Sequence, residues 1–177
     1  MLRIHRLTPE SGELDAVRAL YESAFPENER RSLDGMLREK SGALKLLSVF
    51  EEERFIGLLF LLECGDISHI IYFAVTPELR GQGYGGRILR AVEEGLPGQR
   101  LILDIEKPSE RAENNAQRLR RKDFYLRHGY RESGVRYRWR GESYEILVLG
   151  GELSKRGFYR FWRDLQKSGF SFADWNA

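Results

Sequence analysis

At 177 residues, the chain is long enough to bury a real core and short enough to be expected as one domain over residues 1–177. Charged residues make up 32% of it but nearly cancel, to +2 at pH 7, which gives no warrant for a nucleic-acid or membrane partner. The single cysteine, Cys64, rules out an internal disulfide and suits a reducing, cytoplasmic setting; with only three scattered histidines beside it, no zinc or other metal site is expected.

The N-terminus, Met1 to His5, lacks the apolar core of a signal peptide, and the longest apolar run, Phe55 to Leu62, is far short of a membrane span. Arg3 to Leu7 read as a first strand, after which Pro9, Ser11 and Gly12 punctuate the chain. Leu14, Val17, Leu20, Tyr21, Ala24 and Phe25 recur at helical spacing, and Pro26 ends that helix. A charged turn, Glu27 to Arg31, leads to a second helix around Ser32 to Lys40, broken by Ser41-Gly42. Leu44 to Phe50 and Phe55 to Glu63 read as a hairpin turning at Glu51-Glu52-Glu53. An apolar run, Ile70 to Val75, supplies the next strand, and a helix follows from about Gly83 to Glu94. Leu101 to Glu106 read as a buried strand, and Glu110 to His128 as a charged helix closed by Gly129. Tyr130 to Arg140 and Ser143 to Leu149 form a final hairpin turning at Gly141-Glu142. Phe158, Phe161, Trp162 and Leu165 place an apolar stripe on a last helix, about residues 154–168. Helices interleaved with strands, some hairpin-joined and some crossing over a helix, give an α/β fold with a mixed sheet.

The junction between the strand ending at Val75 and the helix after it carries the most information. Thr76-Pro77-Glu78-Leu79-Arg80 lead into Gly81-Gln82-Gly83-Tyr84-Gly85-Gly86. Unpaired amides at a helix start, the macrodipole and glycines that let a backbone come close together make an anion site, so a phosphorylated ligand is expected. Gly81, Gly83 and Gly86 match the dinucleotide pattern G-x-G-x-x-G, with Asp104 about 20 residues on. Two features oppose that reading. Five residues separate the strand from the glycines, and several strands precede the motif, whereas dinucleotide glycines open the turn directly off a first strand. A merely flexible turn explains one or two glycines, not four packed at one junction.

Arg80-Gly81-Gln82-Gly83-Tyr84-Gly85 fits the Arg/Gln-x-x-Gly-x-Gly/Ala pattern of the GNAT acetyltransferases, and Phe73 to Glu78 resembles the strand and turn before it. Phe124-Tyr125-Leu126-Arg127-His128-Gly129-Tyr130 is similar to their second signature. The resemblance covers about residues 3 to 150. It implies a mixed, mostly antiparallel sheet of six to seven strands, flanked by helices and splayed at the CoA-binding strand, with the last helix packed on that core. It implies an N-acetyltransferase using acetyl-CoA, with the acetyl group passing directly to an amine in a ternary complex. Arg80, Gly81, Gln82, Gly83, Tyr84, Gly85 and Gly86 would hold the pyrophosphate. Phe73, Ala74 and Val75 would line the pantetheine arm, and an amide near Val75 would polarise the thioester carbonyl. Tyr125 would protonate the departing thiolate, where the residue read alone is a core aromatic.

One departure from the family matters for the cofactor site. Many members carry a cofactor-binding asparagine where this chain has Arg118, one of four cations with Arg120, Arg121 and Lys122. These read as a solvated helix face from which one or two, Arg118 included, could approach the CoA phosphates. Several members hold a glutamate base at the position of His69, which alternates with Ile71 and Phe73 and so is expected to face the cleft; a satisfied strand histidine is the rival reading. Glu63 and Glu106 are alternative bases. Glu27, Glu29, Arg30 and Arg31 fall where the family shapes its acceptor site, but read better as a polar turn. The expected acceptor is a small-molecule or peptide amine, and the expected assembly a monomer or homodimer. Two rivals stand beside this: a non-catalytic acyl-CoA-binding module on the same fold, and a nucleic-acid binder using the basic helix.

Overall fold

Apolar residues buried on both faces drive Leu44–Glu51 (β2) and Arg54–Cys64 (β3) into a long antiparallel hairpin that turns at Glu52-Glu53. This computed structural model describes residues 1–171; residues 172–177, part of the single-domain expectation, lie outside the described residues. Leu2–Arg6 (β1) pairs with the outer side of β2. Ile67–Val75 (β4) pairs antiparallel with β3, and Arg100–Glu106 (β5) lies parallel to β4. Glu142–Leu149 (β7) joins β5, and Arg131–Trp139 (β6) closes the far edge. The sheet has seven strands in the order β1-β2-β3-β4-β5-β7-β6, with one parallel pair. Arg140 and Gly141 both take positive φ in the two-residue β6–β7 turn, whose backbone twist matches that of the strands.

Helices cover both faces. Leu14–Ala24 (α1), Leu33–Leu37 (α2) and Lys155–Lys167 (α5) bury Val17, Leu20, Tyr21, Met36, Phe158, Phe161 and Leu165 against one face. Tyr84–Gly95 (α3) and Asn115–Arg127 (α4) bury Ile88, Leu89, Val92 and Tyr125 against the other. The expected order of elements holds, with two helices shorter than predicted. α2 has five residues, capped by Ser32, whose hydroxyl accepts from the Gly35 amide at 3.1 Å. α4 starts at Asn115 rather than Glu110, because the Ser109 amide donates to Asn115 Oδ1 at 2.8 Å and the Ala112 amide to the Ser109 carbonyl at 2.9 Å. These local bonds offer the backbone an alternative to the helix. No helix among the described residues is long and apolar enough to cross a membrane.

Burial raises the hydroxyl pKa of Tyr21, Tyr130 and Tyr137 above the free phenol's value. The folded state therefore holds protons that the unfolded chain loses from about pH 10. The resulting stability is complete below that pH and is lost as pH rises through the window, by about 1.4 kcal/mol per unit for each tyrosine. We expect the urea midpoint to hold from pH 8 to 10 and to drop between 10 and 11; a midpoint constant to pH 11 contradicts this.

Candidate active site

β4 and β5 pair only from Ile67/Arg100 to Ile70/Leu103. Immediately afterwards the β3–β4 register shifts, Phe60 facing Tyr72 and Leu61 facing Ile70, so Ile71 is an extra residue in β4. A bulge of this kind bends the strand and ends its pairing. β4 then runs to Val75 with no strand on its β5 side. The Thr76 amide donates to the Ile56 carbonyl at 2.9 Å. Alternation along an antiparallel ladder therefore turns the main-chain groups of Val75 and Phe73 away from β3, into the gap. By the same alternation those of Ala74 face β3 and serve the ladder.

The glycine loop stands at the end of this free segment. Gly81 and Gly83 have φ of 75° and 83°, a region costly for other residues, and a Cβ on either would meet nothing within 4 Å. The first helical bond of α3 runs from the Arg87 amide to the Gly83 carbonyl, 3.2 Å. The amides of Gly83, Tyr84, Gly85 and Gly86 thus point out of the helix start without an acceptor among the described residues. Arg80 Nε donates to the Val75 carbonyl at 3.1 Å and Gln82 Nε2 to the Glu78 carbonyl at 2.7 Å, which ties the loop to the strand end. Tyr84 donates its hydroxyl to Glu51 at 2.7 Å, and Arg87 pairs with the same carboxylate, holding it at about 2, well below the usual range.

Gly85 and Gly86 have another reason. A Cβ at Gly85 would stand 3.0 Å from the Phe124 ring, and one at Gly86 2.0 Å from His128 Nε2, whose ring is held by a 2.7 Å bond from Nδ1 to the Phe124 carbonyl. These two glycines let α3 lie against α4. The next residue of α4, Tyr125, is 8% exposed in the same core cluster as Phe73, Val75 and Tyr84. Burial pushes its hydroxyl up to about 12, with Arg121 opposing. It therefore keeps its proton at neutral pH.

A profile described as an acetyltransferase (GNAT) domain matches residues 44–132. The chain belongs to the GNAT acetyltransferase family. Family membership makes it an acyltransferase, and the seven-stranded sheet splayed at β4 is the GNAT fold. A protein of Bacteroides thetaiotaomicron classed as a GNAT acetyltransferase superposes with a TM-score of 0.77 over 99% of both chains, at 22% identity. The ribosomal-protein-S18-alanine N-acetyltransferase of Escherichia coli gives 0.63 at 19% identity, over 87% of this chain and 96% of that one. A GNAT acetyltransferase of Elizabethkingia anophelis, with acetyl-CoA bound, gives 0.57 at 17% identity, over 86% and 98%. Likeness at these identities speaks for the fold. No curated protein matches the chain.

Within this GNAT frame, His69 departs from expectation. The bulge at Ile71 breaks the alternation, so His69 lies on the α5 face while Phe73 lies on the α3 face. Its ring is 1% exposed, with Phe161 and Trp162 centroids at 5.9 and 5.5 Å. Nε2 donates to Asp104 Oδ1 at 2.8 Å, and Asp104 Oδ2 accepts from Tyr137 at 2.6 Å. Enclosed in this way, His69 orients Asp104 and has no path to a substrate amine. Glu63 sits opposite Ser68, at the end of β4 away from the gap. Glu106 does border the gap, but pairs with Arg118 at 2.9 Å and Arg121 at 3.5 Å.

Arg118 is corrected too. It is 7% exposed, and its guanidinium is taken up by Glu106, Glu142, Asn114 and the Lys107 carbonyl. It locks α4 to β5 and β7 rather than reaching for a phosphate. Removing one partner of a buried pair leaves the other uncompensated. We expect Arg118→Ala to cost about 3 kcal/mol in urea unfolding and to leave acetyl-CoA affinity within about 3-fold. A large loss of affinity at undiminished stability would restore the cofactor role. Sequence reasoning gave no role to Tyr72 or Tyr144 and read Glu29 as part of a polar turn; partners far away in the chain set these residues beside the gap. Among the described residues no group of three His, Cys, Asp or Glu could hold a metal ion.

Proposed function

We propose that the protein, as one acetyltransferase domain, transfers the acetyl group of acetyl-CoA to an amine by direct attack in a ternary complex. The observation that carries this is the placement of four unpaired amides at the α3 start, directly beyond a strand whose Phe73 and Val75 main chain faces an open gap. The two halves fit the two halves of the donor. The loop amides and Arg80 suit a pyrophosphate, and the free edge of β4 suits an extended pantetheine arm. The Val75 amide would donate to the thioester oxygen as charge develops on it, and proximity of the bound amine would supply most of the remaining rate. The amine nitrogen bonds to the carbonyl carbon and sheds a proton to solvent, the carbon–sulfur bond breaks, and Tyr125 gives its proton to the thiolate and recovers one from solvent.

The acceptor is a small molecule or a peptide terminus, the setting cytoplasmic, and the protein acts as a monomer or homodimer. The test is calorimetry with acetyl-CoA, followed by thiol release against a diamine, an amino sugar, free lysine and a short peptide. Binding with transfer to at least one amine is expected. Absence of binding overturns the donor assignment, and binding without any transfer overturns the reaction.

A further inference from the structure

The α1–α2 connection, residues 25–32, is fixed from three directions. Tyr72 on β4 donates its hydroxyl to the Glu29 carbonyl at 2.8 Å. The Tyr21 hydroxyl accepts from the Arg31 amide at 3.0 Å and donates to the Arg31 carbonyl at 3.1 Å. Arg140, from the β6–β7 turn, donates to the Asn28 carbonyl. A loop held this firmly presents its side chains at defined places. Tyr72 lies beyond the Ile71 bulge, next to Phe73, so Glu29 stands where β4 begins to diverge.

The other carboxylates around the gap are engaged. Asp104 is held by His69 and Tyr137, Glu106 by Arg118 and Arg121, and Glu142 by Arg118. The Glu29 carboxylate makes no hydrogen bond or ion pair with a described residue. It is half-buried, and it feels Glu106 at the tip of β5, the opposite arm of the gap.

We propose that Glu29 is the carboxylate that receives the acceptor's ammonium and takes up its proton. This rests on the acetyl-transfer reading above. An ammonium must lose one proton before its nitrogen lone pair can attack. Glu29 accepts that proton, the amine attacks the thioester carbon, and the second nitrogen proton leaves for solvent as the amide forms. Tyr125 lies on the α3–α4 face and Glu29 on the α1–α2 face. Proton uptake and proton donation thus occur on opposite sides of the sheet, with the thioester between them. Burial, and then the charge of Glu106, raise the Glu29 pKa. Arg121 and Arg118 on α4 pull it down in part, Glu142 on β7 pushes it up, and burial and then the charge of Glu29 raise Tyr144. A carboxylate lifted toward neutrality is a stronger base than a free one.

The test compares Glu29→Gln and Glu29→Asp with the wild type, using the amine that the panel selects. We expect Glu29→Gln to keep acetyl-CoA affinity within about 3-fold, to lower kcat/KM for the amine about 100-fold, and to lose the low-pH limb of its pH profile. Glu29→Asp should recover part of the rate and keep the limb. Glu29→Gln with kcat/KM within about 3-fold and an unchanged profile overturns the proposal alone, as does a loss confined to acetyl-CoA affinity. A wild type that binds acetyl-CoA but acetylates no amine removes the parent reading, and this one with it.

Discussion

Replacing Tyr125 by phenylalanine is expected to lower kcat about 100-fold while acetyl-CoA affinity stays within about 3-fold. The substitution takes away one oxygen and leaves the packing. Tyr125 touches Phe124 and Tyr130 through its ring, with centroids 5.1 and 5.6 Å away, and phenylalanine keeps both contacts. Its hydroxyl makes no hydrogen bond to a described residue, so no bond of the fold is lost. Burial makes the phenol a weak acid, at about 12. The proton therefore stays in place at neutral pH and is available to the sulfur as the carbon–sulfur bond breaks. A thermal melt at the wild-type temperature with a depressed kcat identifies a chemical role. Undiminished kcat at saturating donor and acceptor takes Tyr125 out of the mechanism.

Gly83→Val is expected to weaken acetyl-CoA binding by at least about 100-fold, by losing charge-assisted hydrogen bonds of about 1.5–3 kcal/mol each. Here the glycine is required by φ, at 83°, and not by crowding. The side chain has room within the protein, so the expected loss falls on the pyrophosphate that the adjoining amides of the α3 start would hold. The stability cost is limited to the left-handed backbone, about 1–2 kcal/mol. Gly85→Val behaves differently, because its side chain drives into Phe124 and overpacking costs about 1–3 kcal/mol wherever the donor binds. Calorimetry on both, with melting curves, separates a binding loop from a packing contact. Affinity within about 3-fold for Gly83→Val sinks the loop assignment.

The glycine loop, the strand before it and the Phe124-Tyr125 pair were legible in the sequence because each leaves a local signature: a β-branched run, positive-φ residues, a helix start. Local signatures also explain the failures. Nothing in His69-Ile70-Ile71-Tyr72-Phe73 announces a bulge, yet one inserted residue at Ile71 puts His69 and Phe73 on opposite faces. Gly85 looks like Gly83 in sequence, and only the position of Phe124 shows that it serves packing instead. Arg118 shares its helix with other cations, and its burial follows from Glu106 and Glu142, far away in the chain. Glu29 sits in a charged turn of ordinary composition. Its free carboxylate stands out only once Tyr72, Arg140 and the paired acids around it are in place.

The divergence of β4 from β5 gives the sheet an inner edge in addition to the two outer ones. Outer edges invite other chains to add on, and proteins must guard against such aggregation. This one lies between two arms of the same sheet, so only a slim, extended chain can enter it sideways. Under the proposed function the substrate itself fills that place, as a temporary strand. The main-chain bonds it makes exist only in the native state, so the donor props up the protein it serves, and resistance to heat should track the donor supply.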